Sequence, residues 1–225
     1  MNDDVLVRAV ALARTYGSNA GRVTALADAT FTIRPSDRVA IMGPSGSGKT
    51  TLLHLIGALD SPTAGEINWP SLGAASTLRP GPIAMAFQGP SLLPPLSVVE
   101  NVALPILLAG GTEKDSIDSA VRLLDLFELR ELAEKLPEEI SGGQQQRAGL
   151  ARALAGGPNL LLADEPTGQQ DHTTGHRMME ALMLEVDRAD TSVVIATHDP
   201  IIASYCKTRW SVENGRLITE TPAWA

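Results

Sequence analysis

The sequence predicts an α/β fold: a parallel sheet core that carries a glycine-rich turn, an antiparallel β segment, and a helical segment inserted into the core. Three observations predict it. The first is Gly43-Pro44-Ser45-Gly46-Ser47-Gly48-Lys49-Thr50, set between the apolar run 39–42 and a helical pattern that begins at Thr51. The second is a pair of short, wholly apolar runs, 160–163 and 193–196, the form taken by strands buried on both faces. The third is a change of texture to helix from Leu92 to about Gly157.

Residues 5 to about 42 read as β-rich, with Phe31 and Ile33 facing one way and Thr30 and Thr32 the other. Pro35-Ser36-Asp37 marks the turn into the run 39–42. Beyond the glycine turn, Leu52, Leu55, Ile56 and Leu59 recur at three- and four-residue spacing and give a helix its apolar face. Residues 60–89 are rich in Pro, Gly, Ser and Ala. They hold two short strand candidates, 66–69 and 83–87, the second running into Gln88. Residues 97–108 and 116–127 are helix candidates, the latter with Val121, Leu124 and Leu126 as its apolar face, before Pro137 breaks the run. A further helix starts after Ser141 and reaches Ala155 with Leu150 and Leu154 inward, and Gly156-Gly157-Pro158 stops it. The strand 160–164 ends in Asp164 and Glu165, a helix spans about 173–187, and the strand 193–197 ends at His198. Residues 209–219 close the chain as two strands around Asn214-Gly215, a hairpin signal. The expected organisation is a single domain, 1–225. Its β segment and glycine-turn core cover about 1–90 and 158–225, and its helical part about 91–157.

A glycine-rich turn between strand and helix aims backbone N–H groups at one point, and the helix N-terminus adds partial positive charge there. The natural occupant is an anion. Lys49 can reach the outer phosphates of a nucleotide, and the Thr50 hydroxyl can take a place on Mg²⁺. Ser141-Gly142-Gly143-Gln144 opens a second helix. Its plainer reading is a capping box, yet two glycines in a first turn cost about 1 kcal/mol each and allow a close backbone approach to something negative. The carboxyl end of a buried strand in a parallel α/β sheet is where ligands bind, which suits Asp164 to Mg²⁺ and Glu165 to polarising water as a general base. The plainer reading there is a solvated acidic turn. Tyr16 is either a half-buried packing residue or a flat face for a base to stack on. Gln88 and His198 are polar strand ends, of interest only if those ends face the nucleotide.

Composition narrows the class. With 44% hydrophobic and 20% charged residues the chain is ordinary for a folded globular protein. A net charge of −8, a pI near 5.0 and no basic cluster disfavour nucleic acid as a partner. The longest apolar stretch, 102–111, falls short of the roughly 18 residues a membrane span needs, and Pro105 interrupts it. The opening Met1-Asn2-Asp3-Asp4 is acidic where a signal peptide is basic. Cys206 is the only cysteine, so no internal disulfide forms and a reducing compartment fits. The expectation is a chain soluble by itself and cytoplasmic.

Taken together, these segments resemble the nucleotide-binding subunit of ABC transporters over nearly the whole chain. Residues 43–50 resemble the family's Walker A, 140–147 its signature motif, and 160–165 its Walker B with the catalytic glutamate. Gln88 resembles the Q-loop residue, Asp171 the D-loop aspartate, His198 the switch histidine, and Tyr16 the aromatic that stacks on adenine. The resemblance implies a P-loop NTPase (RecA-like) core with an antiparallel β subdomain and an inserted helical subdomain. It further implies ATP held by Tyr16, Gly43, Pro44, Ser45, Gly46, Ser47, Gly48, Lys49, Thr50 and Thr51, with Ser141, Gly142, Gly143, Gln144 and Asp171 as further nucleotide contacts. Mg²⁺ falls to Thr50, Gln88 and Asp164, and catalysis to Glu165, His198 and Gln88. The family pattern is a head-to-tail homodimer, the signature of one copy capping the γ-phosphate held by the other's Walker A.

Within the family the segments 57–65, 100–102 and 164–168, together with Tyr16-Gly17 and the turn 46–54, resemble the macrolide-exporter, lipoprotein-release and cell-division branch. That branch implies a partner permease with few membrane spans, and a place at the cytoplasmic face of the cell membrane. Three departures stand out: Ile140 for the usual Leu, Gln169-Gln170 where the branch carries Asn-Leu before the aspartate, and a short 66–88 segment. Adenine is favoured over guanine because no Asn-Lys-x-Asp motif is present. A small-molecule kinase would leave Ser141, Gln144 and Glu165 unexplained. Soluble ABC-type ATPases of repair or translation carry coiled coils, zinc cysteines or paired cassettes. A signalling permease that moves no cargo stays open as a variant within the family.

Overall fold

The computed structural model describes residues 5–18 and 21–219, so the acidic opening at Asn2, Asp3 and Asp4 lies outside the described residues. In chain order the elements are β1 (Val7–Tyr16), β2 (Val23–Ile33), β3 (Arg38–Met42), α1 (Lys49–Ile56), β4 (Ala64–Asn68), β5 (Ile83–Ala86), α2 (Val98–Leu108), α3 (Glu113–Leu126), α4 (Gly142–Ala155), β6 (Leu160–Asp164), α5 (His172–Arg188), β7 (Ser192–Ala196), α6 (Pro200–Ala203), β8 (Thr208–Glu213) and β9 (Arg216–Thr219). Chain contacts group these into two units, 1–78 with 192–225, and 79–191. Strands β5 and β6 pack on α4 of the helical unit, and Glu185 of α5 pairs with Arg122 of α3.

In the first unit the strand order is β4-β1-β2-β9-β8-β3-β7. β1 pairs antiparallel with β2 and with β4, which accounts for the alternation at the end of β2, where Phe31 and Ile33 are buried and Thr30 is exposed. β3 lies between β7 and β8, both parallel to it, with Ile41 opposite Ala196 on one side and Trp210 on the other. A strand so flanked and covered has no solvent face, which is why 39–41 and 193–196 are apolar without alternation. Helix α1 starts at Lys49, two residues before the apolar pattern suggested, and buries Leu52, Leu53, Leu55 and Ile56. Leu59 does not share that face. The helix ends at Gly57, Ala58 turns left-handed at φ 51°, and Leu59 stands 40% exposed. The hairpin β8–β9 closes through Asn214 and Gly215, whose φ values of 50° and 75° are the paired positive angles of a two-residue turn.

In the second unit β5 and β6 run parallel, with Ala86 opposite Ala163, and β6 is wholly buried. Ser97 and Glu100 form a capping box at the start of α2. Asn101, fully buried, bonds back to Leu93, Leu96 and Ser97 and fixes the approach to that helix. Helix α3 is capped by Thr112 and begins earlier than its apolar spacing indicated. Its buried face is Ala120, Leu123 and Leu124, whereas Val121 and Leu126 are only half-buried. Among the described residues no helix is long and apolar enough to cross a membrane.

Glu185 of α5 is the unit's most tightly held charge. Its carboxylate accepts two hydrogen bonds from Arg122 at 2.8 and 2.9 Å and two from Arg188 at 2.6 and 2.9 Å. Burial pushes this carboxyl upward, but the hydrogen bonds and charges of the two guanidinium groups outweigh it and bring it down to about 2 from 4.5. A carboxyl depressed on folding contributes stability above its unfolded value, and that contribution, roughly 3 kcal/mol, disappears as the pH falls from about 4.5 toward 2. Urea-unfolding free energies taken from neutral to acid pH should therefore drop more steeply for the natural chain than for Glu185→Gln. Parallel profiles would contradict this reading of the cluster.

Candidate functional site

The turn that leaves β3 is built from backbone. Gly43, Gly46 and Gly48 have φ values of 151°, 76° and 111°, angles that L side chains rarely adopt. Gly48 is closely held: a Cβ there would collide with the carbonyl oxygen of Ala25. Gly48 is also the N-cap of α1, which has no side-chain cap and no acidic residue in its first turn. The helix end thus has neither a capping side chain nor a carboxylate to offset its positive dipole, which suits it to an anion. Lys49, 7% exposed, donates from Nζ to the carbonyls of Gly43 at 2.7 Å and Pro44 at 3.1 Å. The Ser47 side chain is buried, and its Oγ has no hydrogen-bond partner among the described residues. A buried hydroxyl left unmatched costs about 1–3 kcal/mol, and a phosphate oxygen would satisfy it. These features fit a phosphate group. Pro44, Ser45, Gly46 and Thr50 are exposed around it, and Thr51 is half-buried.

The same unit places two more of the expected residues. β7 runs parallel to β3, and Thr197 donates its N–H to the Ile41 carbonyl, so His198 emerges at the sheet edge from which the glycine turn leaves. Tyr16 pairs with Val23, two residues before the Ala25 carbonyl that abuts Gly48. Its ring is 39% exposed, its hydroxyl donates to Asp60 at 2.7 Å, and the Arg14 guanidinium lies 4.6 Å from the ring centroid. Arg14 also donates to Asp60, through Nε at 2.8 Å and through a second contact of 2.6 Å. Burial raises the Asp60 carboxyl, but the Tyr16 hydroxyl, the Ser61 amide and Arg14 together hold it below its ordinary value. Sequence reasoning singled out Tyr16 and passed over its two clamps. Arg14 carried a signal, since it lies two residues from Tyr16 on the same strand face.

In the second unit, Gln88 and Glu165 each follow the paired residues Ala86 and Ala163 by two positions, at the carboxyl edge of parallel β5 and β6. Asp164 and Glu165 are both buried, and Glu165 adopts φ 44°, a left-handed conformation uncommon for a non-glycine residue. Asp171 is the N-cap of α5. Its carboxylate accepts from the Thr174 N–H at 3.0 Å and the Thr174 hydroxyl at 2.7 Å, and those bonds lower its pKa. Ser141 and Gln144 form the capping box of α4, each side chain accepting the other's backbone N–H. The glycines inside that turn have a reason within the chain itself. A Cβ on Gly142 would come within 2.5 Å of Gln169 Oε1, and one on Gly143 within 2.9 Å of the Gln169 carbonyl oxygen. Gln146, buried on the same helix, bonds to the main chain at 165 and 169 and was not read as a site residue. Among the described residues no cluster of three or more His, Cys, Asp or Glu side chains forms a ready metal site.

Known proteins are similar to this chain in sequence and in fold. Residues 26–168 match the family model described as ABC transporter. The lipoprotein-releasing system ATP-binding protein LolD of Legionella pneumophila (strain Paris) is 39% identical over 209 residues, 89% of this chain and 92% of that protein. The LolD protein of Bordetella pertussis is 38% identical over 213 residues, 92% of each. The ATP-binding cassette MJ0796, solved as a dimer in a post-hydrolysis state bound to ADP and Pi, matches with a TM-score of 0.89 and 34% identity over 98% of this chain and 100% of that one. A structure of cbiO1 from Clostridium perfringens, part of the ABC transporter complex cbiONQ, matches with a TM-score of 0.80 and 26% identity, covering 96% and 88%. The fold class expected from the sequence is the one these structures share.

The glycine turn makes a graded prediction. Gly46→Ala, where a Cβ meets nothing within 4 Å, should cost about 1–2 kcal/mol for the left-handed angle alone. Gly48→Ala adds a collision with the Ala25 backbone and should cost clearly more. Chemical denaturation of the two variants compares them, and equal costs would mean that the turn is not held against β2.

Proposed function

The chain belongs to the ABC transporter family, and on that premise we propose that it is the ATP-binding and ATP-hydrolysing subunit that powers a membrane permease. The observation that carries the proposal is the N-terminus of α1: capped by glycine alone, free of acidic residues, with a buried lysine and an unmatched buried hydroxyl beside it. Such a site takes up a polyphosphate. When the phosphates arrive, Lys49 exchanges the carbonyls of Gly43 and Pro44 for their oxygens, Ser47 gains an acceptor, and the first N–H groups of α1 gain theirs. Tyr16, with its hydroxyl held by Asp60 and the Arg14 guanidinium over one face of its ring, offers the other face to adenine.

Thr50, Asp164 and Gln88 present hard oxygen donors, a set that suits Mg²⁺, which binds through one or two carboxylates plus substrate phosphates. When bound, the ion supplies neutralising charge on the outer phosphates. Glu165 takes the proton of the attacking water, whose oxygen bonds to the γ-phosphorus as the bond to the ADP oxygen breaks. His198 hydrogen-bonds the γ-phosphate. Two copies assemble head to tail, with Ser141, Gly142, Gly143 and Gln144 of one against the nucleotide of the other and Asp171 near that seam. The dimeric MJ0796 structures support this reading.

The likeness to lipoprotein-release ATP-binding proteins over about nine-tenths of the chain favours an exporter or mechanotransmission-type system with a permease of few membrane spans. The subunit then sits on the cytoplasmic face of the membrane, held there by the permease. Replacing Glu165 with Gln should lower steady-state phosphate release by roughly 10²–10⁴-fold while ATP-dependent dimers accumulate on a sizing column. Turnover at the natural rate in that variant would remove Glu165 from the role.

A further inference from the structure

Gln146 is a polar side chain nine-tenths buried on α4, and both ends of its amide are engaged with a segment far from it in sequence. Its Nε2 donates to the main-chain carbonyl of Glu165 at 2.9 Å. Its Oε1 accepts from the Gln169 N–H at 3.1 Å and from Gln170 Nε2 at 3.4 Å. Gln170 Nε2 also donates to the Gly143 carbonyl at 2.7 Å, inside the glycine turn that opens α4. Two glutamines thus join three pieces of backbone: the turn at Gly143, the segment 169–170, and Glu165.

The Glu165 end is where this matters. Its φ of 44° is a strained angle for a residue with a Cβ, and such angles persist only where surrounding structure holds them. The hold is visible: the Glu165 carbonyl accepts from Gly168 N–H at 3.0 Å and from Gln146, which fixes the peptide plane following the residue. The preceding residue, Asp164, ends β6, so with this plane held as well the backbone on both sides of Glu165 is fixed, and with it the direction in which the side chain leaves. The peptide closure from Gly168 is local and accompanies any tight turn. The bond from Gln146 is long-range and ties the turn to a helix.

We propose that Gln146 is a positioning residue for the reaction, holding Glu165 in the backbone conformation that aims its carboxylate, and that Gln170 locks this hold to the Gly143 turn. The proposal rests on the reading of Glu165 as the base. It goes further by giving a role to Gln146 and Gln170, whose side chains bond to each other and to the main chain.

Gln146→Met keeps the volume of the side chain and removes both of its hydrogen-bonding ends. Phosphate release by the purified full chain, titrated with ATP, should show kcat down by about tenfold or more and KM within about twofold, since misplacing a catalytic group costs rate rather than ground-state binding. Gln170→Leu leaves the bond to Glu165 and cuts only the lock, so its kcat should fall by a smaller factor, about two- to fivefold, again at constant KM. An unchanged kcat in a folded Gln146→Met chain, or a loss confined to KM, overturns the proposal. Should that variant fail to fold, Gln170→Leu decides, and an unchanged kcat there overturns it. Glu165→Gln run alongside separates the two claims. If it keeps its turnover, the reading of Glu165 as base has failed. If it loses turnover while Gln146→Met does not, only the positioning role has failed.

Discussion

A buried ammonium group at the positive end of a helix is the constraint on which the first unit is built. Lys49 is the first residue of α1, where N–H groups concentrate about half a positive charge, and its own cation adds to that. Side-chain capping does not relieve the end, and no carboxylate lies in the first turn. Relief comes from two carbonyls, Gly43 and Pro44, which the loop can present only because glycines at 43, 46 and 48 accept positive φ. The surroundings keep it so. β3 is sealed between β7 and β8, the Ala25 carbonyl presses on Gly48, and Gly215 of the hairpin donates its N–H to the Ser47 carbonyl. Positive charge held in this way stabilises a polyanion that enters, the loop staying fixed while Lys49 exchanges its carbonyl partners.

The second unit solves a different problem. Its candidate site residues sit at the ends of two short parallel strands, where Gln88 and Glu165 follow paired residues, and at a helix start whose capping needs are met internally by Ser141 and Gln144. The strained conformation of Glu165 is stabilised by neighbours rather than by its own propensity. Glu185, bonded to both Arg122 and Arg188, fastens α5 to α3, and Cys206 of the other unit is a buried thiol pushed up to about 12, inert by its burial.

Much of this was legible from residue order, and the reasons are local. Gly43 to Thr50 between an apolar run and an apolar helix has one good physical reading, and Asn214-Gly215 between two short strands has another. Positions went astray where local signals compete. The start of α1 was placed at Thr51 because Gly48 caps it without a capping side chain. Leu59 was drawn into the helix because spacing does not reveal that Gly57 and Ala58 end it. On α3, spacing alone chose Val121 and Leu126 over Ala120 and Leu123, since a small alanine gives little apolar signal although it is fully buried. Ser141 and Gln144 had two readings, and the capping box is realised in the fold. What could not be read are the bonds that span 19 to 46 residues: Gln146 to Glu165, Gln170 to Gly143, Arg14 to Asp60. A polar side chain gives no sign in sequence of which distant carbonyl it will meet.

The measurement closest to the central claim is calorimetric titration of the chain with ATP and Mg²⁺, for the natural protein and for Lys49→Ala. The account predicts one nucleotide per chain, with affinity falling by at least about 100-fold when the ammonium is removed, the loss of a charge-assisted contact to phosphate in a buried site. Equal affinity in the two proteins, or no binding to either, would contradict it.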